Sequence, residues 1–388
     1  MAQALRLAER GLYTTSPNPR VGCVFVRDGK VIGEGWHRQA GESHAEVHAL
    51  AVAGNVRGAT AYVTLEPCSH YGRTPPCAEA LTAAGVERVV VAMQDPNPQV
   101  AGRGLAMLRS AGIQVECGLL ETQARELNVG FISRMVRSRP WVRLKLAATL
   151  DGKTALCNGA SQWITGAGAR RDGHHWRARA CAILSGIDTV RADDPRLDVR
   201  EVPTSRQPLK ILVDSNLALS PAARILDSGS VLVVHAIAAE DNAKVLRERG
   251  VECLCLPNDT GRVNLVALMA ELGRRGVNEL HVEAGARLNG ALLKAGLVDE
   301  LLLYLAPCLV GDKARGMFDL PEMMALANKF SLEIRETRMI GNDLRLIARL
   351  ASDRQGTGLT DGGAAPGAMP ILPETDAAPF HGQTIEQQ

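Results

Sequence analysis

His44-Ala45-Glu46, then Leu65-Glu66-Pro67-Cys68, then Cys77 at the end of the loop Ser69-His70-Tyr71-Gly72-Arg73-Thr74-Pro75-Pro76, is the stretch that decides how this chain is read. One imidazole and two thiolates can hold Zn²⁺ tetrahedrally and leave the fourth position to water. An open zinc position lowers the pKa of its water to about 7. Glu46, two residues from the histidine, is placed to move a proton without binding the metal. A closed structural zinc site would need one more ligand, which His48 or His70 could supply, but it would leave Glu46 without a task. Gly72 and Pro75-Pro76 make the segment between the cysteines a shaped turn.

A His-x-Glu pair followed by Pro-Cys and a second cysteine is the arrangement of zinc-dependent base deaminases. Working outward, Val21–Arg27 and Lys30–Trp36 read as strands joined by Asp28-Gly29, a hairpin signal. The turn Ser16-Pro17-Asn18-Pro19 precedes them, and Ala2–Arg10 reads as a helix. The helix His44–Ala53 puts His44 and Glu46 in its first turn. Strand Ala59–Leu65 delivers Cys68 near its carboxyl end. Helix Cys77–Ala84, strand Val86–Met93, helix Gly102–Ala111 and strand Ile113–Cys117 continue the alternation, and one helix, Glu121–Arg137, closes it. Arg139-Pro140 then marks a boundary.

The pattern restarts at strand Trp141–Thr149. Helix Ala169–Arg179 and strands Cys181–Ser185, Leu209–Asp214, Val231–His235, Val251–Leu256, Glu279–Glu283, Glu300–Ala306 and Leu344–Leu350 indicate a second α/β half. Asp193-Asp194-Pro195 and Arg200 fall on a loop in this reading. Val282-Glu283-Ala284-Gly285 and the helix after it could hold a phosphate on free backbone N–H groups, or could be a tight turn. There is no G-x-G-x-x-G fingerprint. Arg170, Arg171, Arg177 and Arg179 read as a solvated basic face. From Ser352 to Gln388 the composition turns to Gly, Ala, Pro, Thr and Asp, which predicts a disordered tail.

At 388 residues, two domains are expected, here 1–139 and 140–351, with 352–388 as the tail. The net charge of +2 and the 3% aromatic content argue against a nucleic-acid partner. The start of the chain shows no signal-peptide pattern, and no apolar run approaches a membrane span. Nine cysteines without a framework of short spacings fit reduced thiols and a cytoplasmic location.

The first half resembles the cytidine-deaminase superfamily, and within it the pyrimidine deaminases of riboflavin biosynthesis. The resemblance rests on Pro17-Asn18-Pro19, Val21-Gly22-Cys23, His44 to Leu50, Tyr62 to His70, Arg73 to Cys77, Gln94 to Pro98 and Val100 to Gly104. It implies a three-layer cytidine-deaminase-like domain with His44, Cys68 and Cys77 as zinc ligands and Glu46 as proton shuttle. Asn18 and the loop around His70 and Arg73 would line the substrate site. The second half resembles the reductase domain fused to such deaminases, with a dihydrofolate-reductase-like α/β fold that uses NADPH. Leu144-Lys145-Leu146, Ser161 to Thr165, Ala192 to Pro195, Val282 to Gly285 and Leu297 to Glu300 carry that resemblance. It implies that Ala147, Trp163, Thr189, Asp193, Ser215, Gly285, Ala286, Arg287, Leu288, Asn289, Gly290 and Ala291 contact NADPH. Ser161, Arg177, Leu197, Arg200 and Glu283 would contact substrate, with Arg177 and Arg200 matched to its phosphate. Lys145 and Glu283 are candidates for the reductase proton donor.

The resemblance therefore implies a bifunctional enzyme with small phosphorylated pyrimidine substrates, expected to act as a homo-oligomer. Three rival readings remain at this level. A deaminase of RNA or nucleosides would want a basic, aromatic surface. A structural zinc module would make Glu46 dispensable, and a redox-dead second half would not bind NADPH.

Overall fold

The computed structural model describes residues 1–71, 75–98 and 100–351, so Arg73 and the tail 352–388 lie outside the described residues. Met1–Leu350 form one compact unit. Helix α1 (Ala2–Glu9) precedes the hairpin β1 (Gly22–Arg27) and β2 (Lys30–Trp36). The hairpin turns at Asp28 and Gly29, with φ of 53° and 73°. A two-residue turn requires left-handed backbone at both positions, which is why Asp-Gly suits it. Helix α2 (Ala45–Ala53), β3 (Thr60–Val63), α3 (Cys77–Ala83), β4 (Arg88–Val91), α4 (Arg103–Ser110) and β5 (Gln114–Cys117) follow. The strand order is β2-β1-β3-β4-β5, antiparallel at β1 and parallel from β3 onward.

Side-chain alternation builds the layers. Cys23, Phe25, Ala61, Val63, Val89 and Val91 face Ala45, Ala49, Ala78, Leu81 and Leu108 of α2, α3 and α4. Val24 points the other way and packs on Ala4 and Leu7 of α1. Helices thus cover both faces, giving the three layers expected. At Gly35, a Cβ would lie 2.4 Å from Ala49 N, so only glycine lets α2 seat this close to β2. That contact fixes the height of His44 and Glu46 above the sheet.

The single helix expected over Glu121–Arg137 is instead α5 (Glu121–Leu127) and α6 (Val129–Arg137). The break at Asn128 has a cause. Its Oδ1 accepts from Arg20 N at 2.8 Å and its Nδ2 donates to Arg20 O at 3.0 Å. An asparagine that hydrogen-bonds to another backbone competes with helix continuation.

The second half contains β6 (Trp141–Thr149), β7 (Lys153–Ala155), α7 (Ala167–Arg179), β8 (Ala182–Gly186), α8 (Ile187–Asp193) and β9 (Leu209–Val213). It continues with β10 (Val231–His235), α9 (Glu240–Glu248), β11 (Glu252–Cys255), α10 (Leu265–Arg274), β12 (Glu279–Val282) and α11 (Ala286–Lys294). It ends with β13 (Glu300–Ala306), β14 (Arg315–Gly316), β15 (Leu332–Ile340) and β16 (Asp343–Leu350). The nine-stranded sheet runs β11-β10-β9-β8-β12-β6-β13-β16-β15, and only the pairs of β16 are antiparallel. Its central parallel strands β8, β9 and β10 are apolar on both faces, as parallel strands under two helical layers must be.

Three expectations change here. Asp193 is not on a loop but ends α8, and Asp194 after it is left-handed at φ 41°. Strand β15 was not anticipated. The Arg170–Arg179 group is not a solvated face: Arg177 and Arg179 are held by Glu283 and Glu279, and only Arg171 is open, at 72% side-chain exposure.

The two sheets meet at a buried carboxylate. Glu279, the first residue of β12, accepts from Arg20 Nη1 at 2.7 Å, Arg143 Nη1 at 3.0 Å and Arg179 Nε at 2.7 Å. Burial alone would raise its carboxyl, but Arg179, Arg20 and Arg143 outweigh burial and hold it far below the usual range. No helix among the described residues is long and apolar enough to cross a membrane.

Candidate active sites

Helix α2 starts at its N-cap His44, and α3 starts at Cys77. Cys68 lies five residues beyond the observed end of β3, on a loop. The side chain of Glu66 sets that loop. Its two oxygens accept from the backbone N–H groups of Asp95, Gly102, Gly104 and Leu105 at 3.1, 2.9, 2.9 and 3.2 Å. Gly104 backs the same turn, where a Cβ would lie 2.0 Å from Pro67 O. The sequence reading quoted Glu66 in its motif without giving it this task. Its position next to Pro67-Cys68 was the available signal.

His44 Nδ1 lies 3.3 Å from Cys77 Sγ and 3.5 Å from Cys68 Sγ, and all three ligand atoms fall within 4.8 Å of one another. A tetrahedral zinc with bonds of about 2.0–2.3 Å places its ligands about 3.5 Å apart, so the donor set and its spacing fit that ion. Among the described residues the cluster ends at these three, and His48 and His70 are not part of it. His48 keeps a buried Nε2 without a hydrogen-bond partner among the described residues, and His70 is exposed.

The Cys68 thiol is pulled down to about 4, first by the Cys77 side chain and then by His44, while Cys77 N donates to Cys68 Sγ at 3.3 Å. The contact with Cys68 raises Cys77 and also raises His44. Glu46 is 3% exposed, and burial raises its carboxyl against the opposing pull of His44. A buried carboxyl whose pKa is raised above its ordinary value holds a proton more readily, which suits general acid–base work.

Asn18 reaches this group through a histidine. Its Nδ2 lies 3.1 Å from His37 Nε2, and His37 Nδ1 donates to Ser43 O at 3.1 Å. The His37 ring meets the His44 ring edge-on at 5.7 Å.

In the second half the expected residues gather beyond the carboxyl ends of parallel strands, the usual place for sites in such sheets. Thr189 follows β8, Ser215 follows β9, Glu283 and Gly285 follow β12, and Ala147 lies on β6. Helix α11 opens at Gly285, where a Cβ would lie 3.7 Å from Thr189 Oγ1. Its first internal bond runs from Asn289 N to Gly285 O, so the N–H groups of Ala286, Arg287 and Leu288 have no helical acceptor. Those N–H groups suit a phosphate. The rest of the expected run is packed inward. Asn289 is fully buried and donates to Ala284 O and Met317 O, and a Cβ on Gly290 would lie 2.0 Å from Asp319 O. Ser215 Oγ accepts from Val263 N at 3.3 Å. Trp163 is 71% exposed, with Arg170 over its ring at 4.5 Å, and Ser161 Oγ lies 3.4 Å from Asp193 Oδ1.

Glu283 is the hub of this site. Arg177 grips it through Nε at 2.5 Å and Nη2 at 2.9 Å, Lys145 Nζ stands 3.9 Å away, and His281 Nε2 is at 3.3 Å. Burial would raise Glu283, yet Arg177, Lys145 and His281 hold it well below the usual carboxylate range. Burial lowers Lys145 and His281. Arg177 therefore spends its fork on a carboxylate rather than presenting it openly to a phosphate. Arg200 is different: its side chain is 47% exposed and pairs with Asp198. Its backbone N donates to His174 Nδ1 at 3.2 Å, and burial pushes His174 down to about 4. Leu197 is buried and left-handed at φ 50°. The sequence reading missed His281 and the Tyr304–Asp172 pair, 2.6 Å apart beside Lys145. His281 and Tyr304 sit on β12 and β13, where period-two spacing was their only signal, and Asp172 lies on α7 with none.

A zinc-type three-ligand centre on one sheet and a phosphate-ready strand–helix turn on another define a two-domain enzyme, a deaminase joined to a nucleotide-using reductase. Comparison with known proteins gives the family. Residues 1–93 match the cytidine and deoxycytidylate deaminase zinc-binding region, and residues 140–346 match the RibD C-terminal domain. The riboflavin biosynthesis protein RibD of Escherichia coli (strain K12) is 50% identical over 360 residues, covering 89% of this chain and 97% of that one. The structure of Acinetobacter baumannii RibD superposes with a TM-score of 0.83 at 44% identity, covering 90% of this chain and 97% of that one. A diaminohydroxyphosphoribosylaminopyrimidine deaminase/5-amino-6-(5-phosphoribosylamino)uracil reductase from Thermotoga maritima gives 0.81 at 30% identity, covering 90% of this chain and 97% of that one. The chain belongs to the RibD family, the bifunctional deaminase and reductase of riboflavin biosynthesis. Its first domain is zinc-binding and its second uses NADPH.

Proposed function

We propose that the first site removes the 2-amino group of 2,5-diamino-6-(5-phosphoribosylamino)pyrimidin-4(3H)-one by hydrolysis. The second site then reduces the ribosyl chain of 5-amino-6-(5-phosphoribosylamino)uracil to ribityl. The Thermotoga maritima relative, a diaminohydroxyphosphoribosylaminopyrimidine deaminase/5-amino-6-(5-phosphoribosylamino)uracil reductase, supports both substrates. His44, Cys68 and Cys77 would hold the zinc, which would supply the Lewis acidity that makes water nucleophilic at neutral pH. Glu46 takes the proton of the attacking water and delivers it to the leaving amino nitrogen, and Asn18 orients the pyrimidine. Water adds at C2, the C–N bond breaks, and ammonia leaves.

NADPH bound in the second site would supply the hydride. Ala286–Leu288 N–H groups, with Thr189, Ser215, Ala147, Trp163 and Asp193, hold the cofactor. Ser161, Leu197 and Arg200 hold substrate, with Arg200 on its phosphate. Glu283 stays ionised and fixes Lys145, the group whose lowered pKa suits proton delivery to the sugar oxygen. All nine cysteines are free, which supports a cytoplasmic setting. Exposed Leu332, Ile334 and Met339 on the edge strand β15 support a homo-oligomer.

The observation that carries the reading is buried Glu46 beside a His-Cys-Cys cluster that ends at three ligands among the described residues. Glu46→Gln tests it: zinc content stays near one per chain while ammonia release falls about 10²–10⁴-fold. Normal ammonia release with full zinc would remove Glu46 from the mechanism, and loss of zinc would make it a ligand.

A further inference from the structure

Residues 17–20 join the deaminase site to the start of β12 and are held from both sides. On the deaminase side, Asn18 Nδ2 meets His37 Nε2 at 3.1 Å, and His37 stacks edge-on against the ligand His44. On the reductase side, Asn278 Nδ2 donates to Pro17 O at 2.9 Å, and Glu279 accepts from Arg20 Nη1 at 2.7 Å. Asn278 and Glu279 are adjacent residues that enter β12, the strand whose end carries Glu283. Pro17 O and Asn18 N belong to one rigid peptide plane, so fixing the carbonyl fixes the direction in which Asn18 leaves the chain.

Asn278 is itself clamped. It is 4% exposed, its Oδ1 accepts from Arg134 Nε at 2.6 Å, and its own backbone O accepts from Trp141 N at 2.8 Å. Arg134 Nη2 adds a second contact to Pro17 O at 3.2 Å. A buried amide with both ends engaged has one orientation, because turning it would place donor against donor at Arg134 and acceptor against acceptor at Pro17. A merely structural tie across this junction needs only the ionic group around Glu279. The aimed amide on the peptide of Asn18 is additional.

We propose that Asn278, a residue of the reductase half, is a positioning residue for the deaminase reaction, acting through Pro17 O to set Asn18 against the pyrimidine. This inference rests on the reading that Asn18 contacts the deaminase substrate. It makes deamination dependent on a strand of the other domain, and it does not require the two chemical sites to share a ligand.

Asn278→Asp in the full chain isolates the contact, because the carboxylate still accepts from Arg134 but no longer donates to Pro17 O. The deaminase KM should rise about two- to tenfold, the range of one lost hydrogen bond. Its kcat, zinc content and the reductase kcat and KM for NADPH should stay within twofold of the parent. Arg134→Met, on the far side of the same amide, should raise the deaminase KM in the same sense with a smaller factor, and it serves if the Asp variant fails to fold. Asn18→Ala is measured alongside. An unchanged deaminase KM in both Asn278→Asp and Arg134→Met, with Asn18→Ala impaired, would overturn the positioning role alone. Deamination unaffected by Asn18→Ala would overturn the reading beneath it. Both activities falling together with the melting temperature in both variants would reduce Asn278 to a structural tie.

Discussion

The two sites of this chain are built in opposite ways. The deaminase centre takes His44, Glu46, Cys68 and Cys77 from one stretch of sequence, with two helix starts and one loop fixing all four. The proposed reductase centre takes Lys145 from the middle of β6, Arg177 from α7, Arg200 from a loop and Glu283 from the end of β12, and the packing of α7 on the sheet brings them together. The metal-holding part of the first site rests on two helix starts and one loop close together in sequence. A dispersed site inherits its geometry from the whole sheet and from the ion pairs that hold its charged groups.

The contrast is sharpest at the metal. Cys77→Ser removes a ligand from a three-ligand centre, so zinc content and ammonia release should both fall to background. Metal analysis with separate assays checks this, and reductase turnover on preformed aminouracil substrate should persist. A comparable loss of reduction would mean that the local site supports the dispersed one.

The second test separates two arginines. Arg177→Ala leaves Glu283 buried without its fork, and breaking such a pair costs about 3–5 kcal/mol, so reductase kcat/KM should fall at least about 10²-fold. Arg200→Ala removes a half-exposed group, and substrate KM should rise about tenfold with NADPH affinity unchanged. Equal effects of the two would erase the difference in environment on which their roles rest.

The smallest effect is on stability against pH. The carboxyl of Glu279 is depressed in the fold, so its contribution is present above the unfolded value of about 4.3 and is lost as pH falls below it. Melting of the parent should weaken steeply between about pH 5 and 3. Glu279→Gln should start less stable and show a shallower slope over that range. An identical slope would place the acid sensitivity elsewhere.

The same contrast governs what was legible. The metal ligands could be read because thiol and imidazole at such spacings are rare outside zinc sites. The hairpin at Asp28-Gly29, β6, β10 and β13 could be read from turn chemistry and apolar runs. Asn128 was not, because its partner, the backbone of Arg20, is remote in sequence. Strand β15 was hidden by Glu333, Arg335, Glu336 and Arg338, charges that an exposed edge strand can carry. Arg179 was read as part of a solvated face and Arg143 and Glu279 were given no role, since burial by mutual pairing leaves no trace in local pattern. Asn289 and Gly290 were placed on the cofactor by resemblance, while their packing against residues 317–319 depends on a long-range contact.

The central claim is that one chain carries two chemically separate centres acting in sequence, and NADPH consumption in the Glu46→Gln variant tests it most directly. With the diaminopyrimidine substrate, NADPH oxidation should fall with ammonia release, by about 10²–10⁴-fold. With the preformed aminouracil substrate, the same sample should oxidise NADPH at the parent rate. Parent-rate oxidation on the diaminopyrimidine, or equal loss on both substrates, would contradict the account.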